Sequence, residues 1–157
     1  MRFPFDEDVL VEAAHTYIKM NRYLSAAEYF ERAARFNPKY YAEAVELYRG
    51  QGQIIKAKGM LSLIPDTDKR LKQIMALNIE AEHYESIVKV SDEISRSGLL
   101  KDQEVNYALA YSYFRLGDFG VVEKYLQKIS EPNLLKKAIV LREGISNCKE
   151  NGVWTCL

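Results

Sequence analysis

Between Asp6 and Tyr40 the apolar residues recur every three or four positions, in two runs separated by a short polar break. Leu10, Ala13, Ala14 and Tyr17 carry the first run, and Ala26, Phe30 and Ala33 the second, after the break at residues 20–22. A 3.6-residue period predicts two amphipathic helices, and the short break predicts that they are antiparallel neighbours. Ala14, Ala26 and Ala33 let the two backbones approach closely, while Tyr17, Tyr23 and Phe30 fill the space around them. Asp6, Glu7 and Asp8 suit the first turn of the first helix, where negative charge meets the positive end of the helix dipole. The second helix is expected over about residues 22–36. Asn37-Pro38 then acts as stop and restart, Asn37 as N-cap of the next helix and Pro38 at its first position.

The pattern returns three times. With Ala57 as the counterpart of Ala26, Tyr41, Ala44, Val45 and Tyr48 take the first-helix core slots, Gly52 the turn and Leu61 the large slot of the second helix. Gly50 and Gly59 each cost ~1 kcal/mol against Ala inside a helical pattern, so this hairpin is expected to be the least rigid. In the third unit Leu71, Ile74 and Met75 are followed by Tyr84, Ile87 and Ile94, and Ser97-Gly98 ends the second helix. Its turn has no Gly, and a single long kinked helix is the competing reading. The fourth unit has Leu109, Ala110 and Tyr113, a Gly117-Asp118 turn, then Phe119, Val122, Leu126 and Ile129. Val122 in place of Ala should push that pair slightly apart. Ala26, Ala57, Ile87 and Val122 are thus 31, 30 and 35 residues apart. After Glu131-Pro132 comes a last helix with Leu134, Leu135, Ala138, Ile139 and Leu141 as its apolar face, and with Lys136, Lys137, Arg142 and Glu143 on its solvated side. The units are expected at about 7–37, 38–66, 67–98 and 102–131, with the last helix at about 133–149 and a tail at 150–157, all in one domain spanning 1–157.

Large–Ala–Ala–Tyr in the first helix, Ala–Phe–Ala in the second and the terminal Pro38 resemble the tetratricopeptide repeat (TPR). Asn21 departs from the Gly that the family often has in the turn, and Asn78 stands where a Tyr is usual. The resemblance covers residue 7 to about residue 130. It implies an all-α, right-handed superhelix of about four TPR-like hairpins closed by a capping helix, which such solenoids need to cover the final apolar face. It also implies a concave groove lined by the first helices, at positions one residue off the core slots. Transferring that register gives Val11, His15, Ile18 and Lys19, then Lys39, Ala42, Glu46 and Arg49, then Lys69, Lys72, Ala76 and Ile79, then Glu104, Tyr107, Tyr111, Phe114 and Arg115.

Composition narrows the chemistry. Lysine plus arginine equals aspartate plus glutamate at 22 each, so no basic footprint marks a nucleic-acid or anionic-membrane partner. No apolar run reaches membrane-spanning length, and MRFPFDEDV lacks a basic region followed by an apolar one, so the chain as written is not expected to be exported, although it could be an excised segment. His15 and His83 stand alone in separate repeats. The acids pair with basic residues on helix faces, as in Glu28–Arg32 and Glu31–Arg35. With no phosphate loop, nucleophile elbow or Cys-x-x-Cys, the expectation is a protein without enzymatic activity, metal or cofactor. Cys148 and Cys156 would lie ~12 Å apart on one straight helix, beyond the roughly 7 Å that a disulfide spans. Asn151-Gly152 could reverse the chain and bring them together. Two free thiols in a reducing cytoplasm are the expectation; a disulfide, and with it a periplasmic or secreted protein, is the alternative.

Tyr107, Tyr111 and Phe114 lie at i, i+4 and i+7, on one face of one helix, with Arg115 beside them. Leu109, Ala110 and Tyr113 already supply that helix's core, and aromatics with Arg are the usual anchors of interfaces. The competing reading packs this stripe under the final helix as core. Chaperone-tail clamps of the family hold a terminal carboxylate with Lys and Asn where this chain has Val11 and His15, which argues against that mode. The expected function is a protein–protein interaction module, an adaptor or assembly scaffold, holding a partner's peptide segment in the groove. Tyr107, Tyr111, Phe114, Arg115, His15, Ile18, Lys19, Arg49, Lys69 and Lys72 are its candidate contacts. The alternatives are a structural segment of a larger assembly, with self-association, and a small secretion chaperone of the TPR type.

Overall fold

The computed structural model describes residues 6–151, all of whose regular structure is helical. The chain folds as two compact units, Met1–Leu77 and Asn78–Leu157.

The first unit holds α1 (Glu7–Lys19), α2 (Tyr23–Ala34), α3 (Tyr41–Gly50) and α4 (Ile54–Met60), and the division falls within α5 (Thr67–Glu80). Helices consecutive in sequence pack on one another, α1 on α2, α2 on α3 and α3 on α4. The small residues explain how closely: Ala14, Ala26, Ala33, Ala44 and Ala57 are completely buried, with Phe30 and Tyr48 filling the space they leave. Asn37 caps the short 3-10 turn Pro38–Tyr40, accepting from the Lys39 amide, and donates from Nδ2 to Glu7 Oε1 at 3.0 Å. Tyr48 is buried, but its hydroxyl is satisfied. It donates to Glu31 Oε2 at 2.7 Å and accepts from Lys56 Nζ at 2.7 Å, and burial is the main reason the phenol is pushed up to about 12. The core slot expected for Leu61 is filled by Met60, because α4 tightens into a 3-10 turn at Leu61–Leu63 and leaves Leu61 half-buried.

In the second unit α6 (Tyr84–Lys89) and α7 (Ser91–Arg96) follow one another with a break at Val90. A 3-10 turn, Gly98–Lys101, leads into α8 (Gln103–Arg115), then α9 (Phe119–Leu126) and α10 (Pro132–Asn151). The turn at residues 81–83 excludes the single long kinked helix. Helix α8 is central, with α6, α9 and α10 all packed against it. Gln103 ties the start of α10 to the start of α8, its Oε1 accepting from the amides of Ser130 at 2.7 Å and Glu131 at 2.8 Å. On α10 the buried residues are Leu134, Ala138, Leu141 and Cys148. Ile139, expected on that face, is 51% exposed; it stands next to Ala138, and one helical step of about 100° turns it away.

One device closes all four first helices. Asn21, Gly52, Glu82 and Gly117 have left-handed φ of 58°, 71°, 56° and 77°. The next amide reaches back to the carbonyl five residues earlier: Arg22 to Tyr17 at 2.8 Å, Gln53 to Tyr48 at 2.9 Å, His83 to Asn78 at 2.8 Å and Asp118 to Tyr113 at 3.0 Å. This is the Schellman closure, in which a left-handed residue lets two orphan carbonyls be satisfied. Five residues after each left-handed residue stands Ala26, Ala57, Ile87 or Val122, each wholly buried.

Cys148 is wholly buried and disulfide-bonded, which corrects the expectation of a free thiol there. The straight-helix separation that argued against a bond holds only if one helix runs through both cysteines, and the sequence offers the Asn151-Gly152 turn between them. Cys156 and the rest of the tail, residues 152–157, lie outside the described residues.

Two measurements check these points. A Cβ at Gly52 meets nothing within 4 Å, so Gly52→Ala should lose ~1–2 kcal/mol from backbone conformation alone, and Glu82→Gly should gain stability by relieving the same strain; chemical melts of both variants decide it. Alkylation of unfolded, unreduced protein should leave Cys148 unmodified until a reductant is added, and immediate labelling would overturn the assignment.

Candidate functional site

An aromatic surface lies between α8 and α10. Helical spacing puts Tyr107, Tyr111 and Phe114 along one side of α8, and α10 supplies Lys137, Val140, Leu141 and Gly144 opposite, around a cleft of about 310 Å³. Gly144 sets its width at one end: a Cβ there would stand 3.1 Å from Phe114 Cζ. All three aromatics are half-buried, lying neither free on the surface nor sealed beneath α10. Phe114 leans on Phe119, with ring centroids 5.6 Å apart.

Along this wall three rings run between two cations. Lys137 Nζ lies 5.6 Å from the Tyr107 ring centroid, and Tyr107 stacks on Tyr111 at 6.3 Å. Tyr111 meets Tyr84 edge-on at 5.7 Å. Arg115 lies over Tyr84 at 4.9 Å and donates from Nη1 to the hydroxyls of Tyr111 at 3.1 Å and Tyr84 at 3.2 Å. Burial raises the Tyr107 phenol above its ordinary range, and the adjacent Tyr111 adds to the effect. Burial likewise raises Tyr84. At neutral pH both are therefore neutral hydroxyls, able to donate.

The first unit has two smaller cavities. One, about 260 Å³, is bounded by His15, Ile18, Phe30, Glu43, Glu46 and Leu47. The other, about 180 Å³, is bounded by Ala42, Glu43, Glu46, Lys69, Lys72 and Gln73. Glu43 and Glu46 are common to both. His15 sits edge-on to Phe30 at 5.4 Å, and Lys69 pairs with Glu43 at 3.6 Å.

The structure thus groups the sequence's candidates in three sets: His15 with Ile18, Lys69 with Lys72, and Tyr107 with Tyr111 and Phe114, Arg115 being bonded to Tyr111. Lys19 is exposed in the last turn of α1 and Arg49 half-buried in the last turn of α3, and neither lines these cavities. Four contributors to the α8–α10 surface are not apparent from the sequence pattern. Tyr84 occupies a core slot, Lys137 falls on the solvated side of its helix, and Val140 and Gly144 belong to no apolar period. Lys137, Val140 and Gly144 are spaced i, i+3 and i+7, a stripe adjacent to the buried face of α10 and legible once α8 is known to lie opposite. Among the described residues no group of His, Cys, Asp or Glu could hold a metal ion, and no helix is long and apolar enough to cross a membrane.

The family model for the tetratricopeptide repeat matches residues 7–40. Neither the curated proteins nor the solved structures gave a match to the chain. The matched segment is α1, its left-handed closure at Asn21, α2 and the Pro38 turn, and the same closure recurs at Gly52, Glu82 and Gly117. The fold is generally an interaction fold without enzymatic activity. Helices α1 and α2, with the proline turn that follows, match the tetratricopeptide repeat, and the left-handed closure of that repeat recurs in the later hairpins.

Proposed function

We propose that this protein is a non-enzymatic interaction module, an adaptor or assembly scaffold, that seats a partner's peptide segment in the cleft between α8 and α10. The observation that carries the reading is the half-buried state of Tyr107, Tyr111 and Phe114 in an open cleft whose far wall includes the 65%-exposed Val140. Aromatic side chains held rigidly but left accessible are what hot spots are made of, since little conformational entropy is lost when a partner covers them. Half-buried Ile18 beside exposed His15 gives the first unit a smaller apolar surface, with Phe30 buried at its base.

A second reading, a segment of a larger assembly, is favoured by large apolar side chains outside any cleft, Ile55 at 91% and Phe36 at 61% exposed. Concentration-dependent association in solution would support it over the adaptor.

Capture of a partner by the tagged chain from its native source, followed by titration, tests the adaptor reading. Tyr107 is half-buried and makes a stack but no hydrogen bond among the described residues, so Tyr107→Ala should cost the fold only ~1–2 kcal/mol. A hot-spot aromatic contributes ≥2 kcal/mol, so the same variant should weaken the partner ~30-fold or more. Unchanged affinity would exclude this cleft as the docking site.

A further inference from the structure

The polar groups around the α8–α10 cleft are all donors or cations. Its lining contains the Tyr107 and Tyr111 hydroxyls and the Lys137 ammonium, and no carboxylate. The Tyr107 hydroxyl has no hydrogen-bond partner among the described residues, and Lys137 forms no ion pair there. Arg115, bonded to Tyr111 at the wall, spends only Nη1 on the tyrosine hydroxyls. Its other guanidinium edge meets no carboxylate among the described residues. Glu82 is the acid that acts on Arg115, as the weakest of the influences on it. Glu104, one turn before Tyr107 on α8, does not line the cleft.

Some cations elsewhere are paired within the chain. Lys56 pairs with Glu31 at 3.0 Å, Lys69 with Glu43 at 3.6 Å and Arg142 with Glu123 at 2.7 Å. In a chain whose formal charges cancel, two uncompensated cations beside one apolar cleft are a local imbalance. A partner carboxylate would meet neutral hydroxyl donors and cations with no acid to repel it.

We propose that the cleft selects an acidic peptide segment: an apolar side chain packs between the Tyr107–Tyr111 face and the exposed Val140, and a neighbouring Asp or Glu side chain is taken by Lys137, the Tyr107 hydroxyl and Arg115. This rests on the reading above that the cleft binds a peptide, and it adds the charge of that peptide. Partial burial of the wall strengthens these contacts relative to open surface, and charge-assisted bonds are the stronger class.

Selection of a random peptide library displayed on phage against the full-length protein tests both levels. The expected result is enrichment of sequences with Asp or Glu flanking a large apolar residue. A synthetic peptide from that pool should lose roughly tenfold in affinity on Lys137→Glu and less on Lys137→Gln, with melts unchanged because Lys137 is exposed. Its affinity should also fall with added salt. Enriched peptides that are neutral or basic, yet lose binding on Tyr107→Ala, would overturn the charge assignment and leave the binding cleft standing. Peptides indifferent to both Tyr107→Ala and Lys137→Glu, or no enrichment at all, would overturn the cleft as well.

Discussion

A helix can turn back on its successor only if its last carbonyls find donors and the chain reverses within about three residues. Here one residue with left-handed φ meets both demands, at Asn21, Gly52, Glu82 and Gly117. Everything after it is placed by that reversal. The residue five positions on is brought into the helix–helix contact, which is why Ala26, Ala57, Ile87 and Val122 are sealed from solvent. The closure tolerates a side chain at a conformational cost: Asn bears it by virtue of its short polar side chain, and Glu82 has no such advantage. The third turn is therefore held by its surroundings rather than by its own preference.

In the second unit several helices compete for one. With α6, α9 and α10 packed on α8, most of the surface of α8 is claimed. Leu109 and Ala110 are buried outright, while the Tyr107–Tyr111–Phe114 side stays half-buried, with Phe114 packed against Gly144 and the exposed Val140 across from it. The Tyr hydroxyls resist full burial unless bonded, and Arg115 satisfies two of them, Tyr84 and Tyr111. The result is a rigid aromatic wall whose partial exposure comes from its neighbours. In the first unit the comparable polar group, the Tyr48 hydroxyl, is bonded on both sides by Glu31 and Lys56 within the fold. It leaves nothing to offer a ligand.

The helices and their pairing are legible in the sequence because both are local. A 3.6-residue period, Asn37-Pro38, Gly52 and Gly117 act within one or two turns of chain, and they mark the hairpins and the last helix, with α6 and α7 read as one. The break at Val90 is not legible, since the apolar spacing of Tyr84, Ile87 and Ile94 runs through it unbroken. Glu82 is hidden for a different reason: no propensity marks a Glu for left-handed φ, and only the spacing of 31, 30 and 35 residues points to that position. The stripe at Tyr107, Tyr111 and Phe114 is visible as a helix face, but whether a face is core or surface depends on what lies across from it. That was decided by the packing of α10 on α8, which set Gly144 against Phe114 and Lys137 over Tyr107. The state of Cys148 is undecided by sequence in the same way, because its bonding depends on where the chain goes after the helix and not on the residues beside it. The sequence determined the elements through short-range periodicity and capping; tertiary structure decided exposure and pairing, because both are properties of two segments brought together from a distance.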